Sequence, residues 1–179
     1  MAAHFRIFAA AAVLSLGVAA PAFAKKGHKA HEHGAAKLDV AIDGTNVELA
    51  LEMPGDDAFG FERAPKNDAE KQAIKDGLAK LRAPEQLFLL PADAGCTPSK
   101  TNVKAAQEAT LTGGKLPPGE HADVDADYAF ACKKAPTGGT MTLGLMKEFP
   151  HLKTVRVQVI SGANQSGQEV HAATDPIKL

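Results

Sequence analysis

Alternating apolar and polar positions mark the first segment of the chain that is predicted to fold. Leu38, Val40 and Ile42 alternate mostly with charged residues, and the alternation resumes after a possible turn at 43–46. The second alternating series consists of Val47, Leu49, Leu51 and Met53. A period of two is typical of a β-strand with one buried face, and Asp-Gly-Thr-Asn between two such runs favours a turn. The pattern therefore predicts a β-hairpin over 38–53.

One amphipathic helix is predicted after this hairpin. Asn67 is a suitable N-cap residue, and Glu70 follows it three positions later, as in a capping box. The apolar stripe that follows at helical spacing consists of Ile74, Leu78 and Leu81. The helix is expected to end before Pro84, because proline cannot continue it.

Further two-residue periods predict several later strands. The clearest one runs from Ala122 to Cys132, and shorter ones cover 141–145, 155–159 and parts of 169–179. Because strands dominate and one helix is convincing, the predicted fold class is α+β and mainly antiparallel β. We expect a twisted sheet or a β-sandwich with a helical insertion.

The first 24 residues have the pattern of a secretory signal peptide. A short basic start precedes an apolar run over 7–20, and residues 22–24 supply the small-x-small pattern that signal peptidase reads. The run is shorter than the roughly 18 to 20 residues that a membrane-spanning helix needs. We therefore expect residues 1–24 to be removed and the mature chain to start at Lys25.

The rest of the chain is predicted to form a flexible arm and one domain. Residues 25–35 are rich in Lys, His, Gly and Ala, and we expect them to form a flexible arm that contains histidines. Residues 36–179 have the length of a single β-rich domain. The 20 basic and 21 acidic residues are interspersed, so nothing indicates binding to nucleic acid or insertion of the mature chain into a membrane.

The chain contains two cysteines, Cys96 and Cys132. In an exported protein a single disulfide bond is the expected state of such a pair. Closing this loop would stabilise the fold by about 3 to 4 kcal/mol in the chain-entropy model. A redox or metal-binding thiolate pair is the alternative, and the absence of a C-x-x-C spacing disfavours it.

Histidines are concentrated in the predicted arm. His28, His31 and His33 lie with Glu32 inside a stretch of six residues. Imidazole is a common ligand for zinc, copper and nickel, and a flexible segment lets several ligands converge on one ion. Zn²⁺ is the metal ion that this arm is predicted to bind, and Cu²⁺ would also bind such an arm. The alternative is a solvated polar tail that happens to be rich in histidine.

A second set of candidate ligands lies on the polar face of the strand predicted at 122–132. His121, Asp123, Asp125 and Asp127 project to the same side, with about 6.5 to 7 Å between successive members. This spacing suits pairs of neighbouring ligands better than one compact tetrahedral site. The alternative is a charged sheet face that contacts water. An arm folded across His121 and Asp123 would combine the two sets.

We expect the protein not to be an enzyme. The sequence has neither a G-x-S-x-G nucleophile motif nor a phosphate-binding glycine loop. It also lacks the H-E-x-x-H motif of zinc proteases, although His31-Glu32-His33 is superficially similar.

Several ordered stretches of the chain resemble the ZrgA-type proteins. They are His31-Glu32-His33-Gly34, the loop Gly60-Phe61-Glu62-Arg63-Ala64-Pro65, Ala94-Gly95-Cys96, the strand from His121 to Cys132, Glu148-Phe149-Pro150 and Gly167-Gln168. The resemblance covers nearly the whole mature chain. It implies a small periplasmic protein of a Gram-negative bacterium that is associated with zinc uptake.

This chain departs from the family pattern at two places. The family usually has a histidine where this chain has Arg63, and many members carry a longer histidine-rich segment near 111–121. Here that region is only ten residues long, from Leu111 to Glu120. These departures imply a lower metal capacity.

Taken together, the residues and the resemblance predict a periplasmic protein that captures zinc and passes it to an importer in the cell envelope. One alternative is a non-catalytic envelope interaction domain with an incidental histidine tail. Another is a periplasmic copper-handling protein. Copper is disfavoured because Cu(I) sites prefer Met and Cys, and none of the mature chain's methionines is near the arm.

Overall fold

A computed structural model describes residues 32–116 and 122–179. In these residues six strands form a large sheet in the order β4-β5-β2-β1-β7-β8. The strands are β1 Ala35–Asp43, β2 Asn46–Met53, β4 Thr97–Ala105, β5 Val124–Ala131, β7 Thr154–Ser161 and β8 Asn164–Val170. All neighbouring strands are antiparallel except β1 and β7, which run parallel. The predicted α+β class with a mainly antiparallel sheet is confirmed.

A second, three-stranded sheet and several short helices complete the described fold. The small sheet has the order β3-β6-β9, with β3 Phe88–Leu89, β6 Thr140–Leu143 and β9 Ile177–Lys178. The helices are α1 Gly55–Phe59, α2 Asp68–Leu81, α3 Pro84–Leu87, α4 Ala106–Thr110 and α5 Leu145–Glu148. None of the helices in the described ranges is long and apolar enough to cross a bilayer.

The alternating pattern of the strands separates a buried face of the large sheet from an exposed one. On β1 the side chains of Leu38, Val40 and Ile42 are buried, and their charged neighbours are exposed. The buried faces of β2, β5 and β7 continue this surface, and α2 covers it with the buried side chains Ile74, Leu78 and Leu81. The core therefore lies between one face of the large sheet and the helices.

Helix α2 begins at the predicted cap. The Asn67 side chain accepts a hydrogen bond from the Glu70 N–H at 2.9 Å, and the Glu70 carboxylate accepts one from the Lys66 N–H at 2.6 Å. These contacts satisfy N–H groups that have no partner inside the helix. The helix ends at Leu81, before Pro84, as predicted.

The predicted disulfide bond between Cys96 and Cys132 is confirmed. The two cysteines lie just before β4 and just after β5, which are antiparallel neighbours. The bond therefore joins one end of the outer strand β4 to the strand beside it.

Candidate metal centre

The segment Glu32–Gly34 belongs to the predicted arm and leads directly into β1, and each of its residues contacts a different part of the fold. His33 Nδ1 lies 3.7 Å from Asp56 Oδ2, and His33 Nε2 lies 3.3 Å from Glu62 Oε1. The His33 ring is 61% exposed, whereas the Glu62 side chain is only 18% exposed. His33 is thus a solvent-accessible imidazole between two carboxylates.

The two carboxylates that contact His33 come from the segment that follows β2. Pro54 breaks the strand, and α1 begins directly after it with Asp56 in its first turn. Acidic side chains are favourable in the first turn of a helix. Glu62 lies in the loop between α1 and α2, so the exit of β2 places both acids beside the start of β1.

A buried carboxylate fixes the residue that follows His33. Both oxygens of Asp57 accept a hydrogen bond from the Gly34 N–H, at 3.0 and 2.9 Å, and Asp57 is only 4% exposed. The Gly34 carbonyl accepts hydrogen bonds from the N–H groups of Lys153 and Thr154 at 2.8 and 2.9 Å. These contacts fix the backbone at Gly34 and so set where the His33 side chain lies.

The environment of the Asp57 carboxyl includes two imidazoles. Burial raises the pKa of Asp57, and the hydrogen bond from Gly34 and the nearby His33 and His151 rings oppose that rise. Asp57 and His151 both line a groove of about 200 Å³ that also contacts α2. A second imidazole thus lies on the same side of the fold as His33.

Glu32, a predicted ligand, has a different partner from His33. Its carboxylate accepts a hydrogen bond from Arg156 Nη2 at 2.7 Å, and Arg156 Nε also donates to Glu169 at 3.2 Å. Glu32 and then Glu169 raise the pKa of the Arg156 guanidinium. The structure therefore brings His33, and not Glu32, to the acids that follow β2.

Arg63, where the family usually has a histidine, is paired with an acid of α2. Its Nη1 and Nη2 donate to the two oxygens of Glu70 at 2.7 and 2.8 Å, and its guanidinium lies 5.0 Å from the centre of the Phe61 ring. A guanidinium has no lone pair to offer a metal ion. Arg63 therefore joins the loop next to Glu62 to α2, and it cannot be a metal ligand.

Asp125 on β5 has neighbours other than His33. Asp125 is exposed, and its cross-strand neighbours are Glu52 on β2 and Lys104 on β4. Asp123 precedes the strand, and its Oδ1 is shielded from solvent. The predicted ligands His28, His31 and His121 lie outside the described residues.

Sequence reasoning missed Asp56, Glu62 and the second imidazole His151. The acids lie at a strand exit and in a loop, where polar residues are ordinary, so no period marks them. The one signal for Glu62 in the sequence is its place in the stretch 60–65, which carries part of the family resemblance.

The described residues supply part of a metal site. Within the two described ranges, no three side chains of His, Cys, Asp or Glu are already arranged around one ion. The contacts of His33 explain this, because Asp56 and Glu62 approach different nitrogens of the same ring. One ion can bind only one of these nitrogens, so further ligands have to come from elsewhere.

A comparison with protein families matches the chain over residues 30–179. The matching model is described as ZrgA family zinc uptake protein. The comparison with curated proteins found no match. The family match includes Glu32, His33, both acids that contact His33, and the whole described fold.

Proposed function

Because the chain belongs to the ZrgA family of zinc uptake proteins, we propose that it is a non-catalytic zinc carrier of the periplasm. It captures the ion at the root of its N-terminal arm and passes it to an uptake system. The family description names zinc and not copper, so zinc is the ion of this proposal.

The distance between His33 Nε2 and Glu62 Oε1, 3.3 Å, carries the proposal. In a tetrahedral zinc site with bonds of about 2.0 to 2.1 Å, two neighbouring ligand atoms lie about 3.3 Å apart. The two side chains are thus already separated as two ligands of one zinc ion would be. Nitrogen and carboxylate oxygen are both ordinary zinc ligands.

Asp56 has the position of a carboxylate that orients a ligating histidine. Metal-bound imidazoles usually direct their second nitrogen at a carboxylate or carbonyl, which fixes the tautomer and the ring orientation. His33 Nδ1 faces Asp56 Oδ2 at 3.7 Å, and closure of this gap on zinc binding would complete a hydrogen bond. Asp56 would therefore hold the ring while Nε2 binds the ion.

The remaining ligands in this proposal are the other histidines of the arm. His31 is two residues and His28 five residues before His33, so both are close enough in sequence to reach an ion bound there. In this proposal zinc binding orders these residues, and the conformational entropy lost on ordering favours modest affinity. Protons compete with zinc for imidazole, so binding should weaken as the pH falls.

Zinc titration calorimetry of the untagged protein, expressed from the full chain with its disulfide intact, tests this function. We expect saturable binding that weakens at least tenfold in His33→Ala and in Glu62→Gln. His171→Ala is the matched control, because His171 is also an exposed imidazole with a carboxylate nearby, Glu169 at 3.9 Å. This variant should bind zinc like the wild type.

Two results would contradict the proposal. If the wild type binds no zinc, the carrier function fails and an envelope interaction domain becomes the better hypothesis. If zinc binding is normal in His33→Ala and Glu62→Gln but is lost when His28 and His31 are both changed to alanine, the arm binds zinc without the folded acids.

A further inference from the structure

Gln107 on α4 is fully buried and joins two distant parts of the chain. Its exposed fraction is 0%, and it is one of two buried polar side chains among the described residues. Its Nε2 donates hydrogen bonds to the Phe61 carbonyl at 3.3 Å and to the Ala122 carbonyl at 2.9 Å. One side-chain amide therefore holds the loop after α1 against the entry to β5.

The first residue of α1 packs against the same amide. A Cβ atom added at Gly55 would lie 2.3 Å from Gln107 Nε2 and 2.0 Å from the Ala122 oxygen, so only glycine fits there. Three chain segments thus meet at Gln107, through Gly55, Phe61 and Ala122.

An acidic residue follows each of these three contacts. Asp56 follows Gly55, Glu62 follows Phe61, and Asp123 follows Ala122. Oε1 of Glu62 and Oδ1 of Asp123 are both shielded from solvent. The amide of Gln107 therefore holds the backbone just before Glu62 and Asp123 by hydrogen bonds, and it packs against the glycine before Asp56. Glu62 and Asp56 are the two acids that contact His33.

We propose that Gln107 is the positioning residue of the zinc site, which fixes the Glu62 loop so that Glu62 Oε1 stays within reach of His33 Nε2. This inference rests on the zinc-binding function proposed above.

The side-chain chemistry explains why glutamine is needed. An amide nitrogen carries two hydrogens and can serve two carbonyls at once, which neither a carboxylate nor a thioether can do. Gln107→Met keeps a similar length and removes both donated bonds. Gln107→Asn keeps the amide, but its shorter side chain cannot reach both carbonyls.

The test compares zinc affinity by calorimetry and the visible absorption of bound Co²⁺ in wild type, Gln107→Met and Gln107→Asn. Tyr128→Phe is the matched control, because it also removes a buried hydrogen bond from a side chain to a carbonyl, that of Leu81. We expect both Gln107 variants to lose at least tenfold in zinc affinity and to change the Co²⁺ spectrum. Tyr128→Phe should stay within twofold of the wild type.

A second comparison separates positioning from a general loss of stability. If Gln107 acts through Glu62, adding Glu62→Gln to Gln107→Met should cause little further loss of affinity. Losses that multiply in the double variant, or normal zinc binding by either folded Gln107 variant, would overturn this inference alone. Failure of the wild type to bind zinc would overturn the proposed function as well. If Gln107→Met does not fold, the same comparison is made in Gln107→Asn.

Discussion

The hydroxyl of Tyr128 on β5 donates a hydrogen bond to the carbonyl oxygen of Leu81, at a distance of 3.0 Å. Tyr128 is 2% exposed, and burial raises the pKa of its phenol. Leu81 is the last residue of α2, so this bond fastens the end of the longest described helix to the large sheet.

Tyr128→Phe should lower the free energy of unfolding by about 1 to 2 kcal/mol, because it leaves the buried Leu81 carbonyl without its partner. Denaturation in urea, followed by circular dichroism, measures the change. An unchanged midpoint would show that another donor, such as water, replaces the hydroxyl.

Glu70→Gln should destabilise the protein in a pH-dependent way. Arg63, followed by the Lys66 N–H, lowers the pKa of Glu70 from its ordinary value of 4.5 to about 2 in the folded state. A group whose pKa is lower in the folded state contributes stability above its unfolded pKa and loses it as the pH falls. The difference between wild type and variant should therefore be largest above pH 4.5 and vanish near pH 2.

Arg63→Ala supplies the control for this pair. If the stabilisation comes from the contact between the guanidinium and the carboxylate, Arg63→Ala should cause little additional loss in the Glu70→Gln background. Additive losses at pH 6 would show that each side chain acts through other contacts.

Gly34→Ala should lower both stability and zinc affinity. Gly34 has φ of +83°, and an added Cβ would meet only ordinary contacts, the nearest at 3.5 Å. The cost is thus one of backbone conformation, about 1 to 2 kcal/mol. Calorimetry and thermal unfolding measure the two effects.

Gly162→Ala is the matched control for Gly34. Gly162 has φ of +58° with nothing within 4 Å of an added Cβ, and it lies in the turn between β7 and β8. It should lose similar stability and bind zinc normally. Equal zinc affinities in the two variants would mean that the backbone at Gly34 does not set the position of His33.

Replacing Cys96 and Cys132 by serine should cost about 3 to 4 kcal/mol of stability. Zinc affinity should not change, because the bond lies at one end of the β4 and β5 pair and Gln107 lies beyond the other. The two ends are roughly 25 Å apart at about 3.3 Å per residue. Guanidinium denaturation with and without reductant measures the stability, and weaker zinc binding in the serine variant would contradict this separation.

Local patterns explain which parts of the fold could be predicted. The hairpin of β1 and β2, helix α2 and strand β5 follow from periods, caps and turns that act over a few residues. The parallel pairing of Ala35–Asp43 with Thr154–Ser161 joins segments far apart in sequence, and no local pattern records it. Strand β6 was predicted at 141–145, but its pairing with β3 and β9 into a second sheet was not, since β3 and β9 have only two residues each.

Only the part of the candidate site that the N-terminal arm supplies could be predicted from the sequence. Histidine composition pointed to His33, and the family resemblance was confirmed by the match over residues 30–179. Asp56 and Glu62 contact His33 only because β2 ends beside the start of β1. Glutamine in a helix is ordinarily exposed, and only the tertiary contacts of Gln107 reveal that this one is buried.

The place of β1 in the middle of the large sheet has a consequence for how the protein is made. A ribosome completes β1 early, but one of its two neighbours, β7, is made close to the end of the chain. Until then the nascent hairpin exposes an unpaired strand edge with a strongly apolar face, a combination that favours aggregation. The central strand β1 therefore stays paired on one side alone until nearly the whole chain is available.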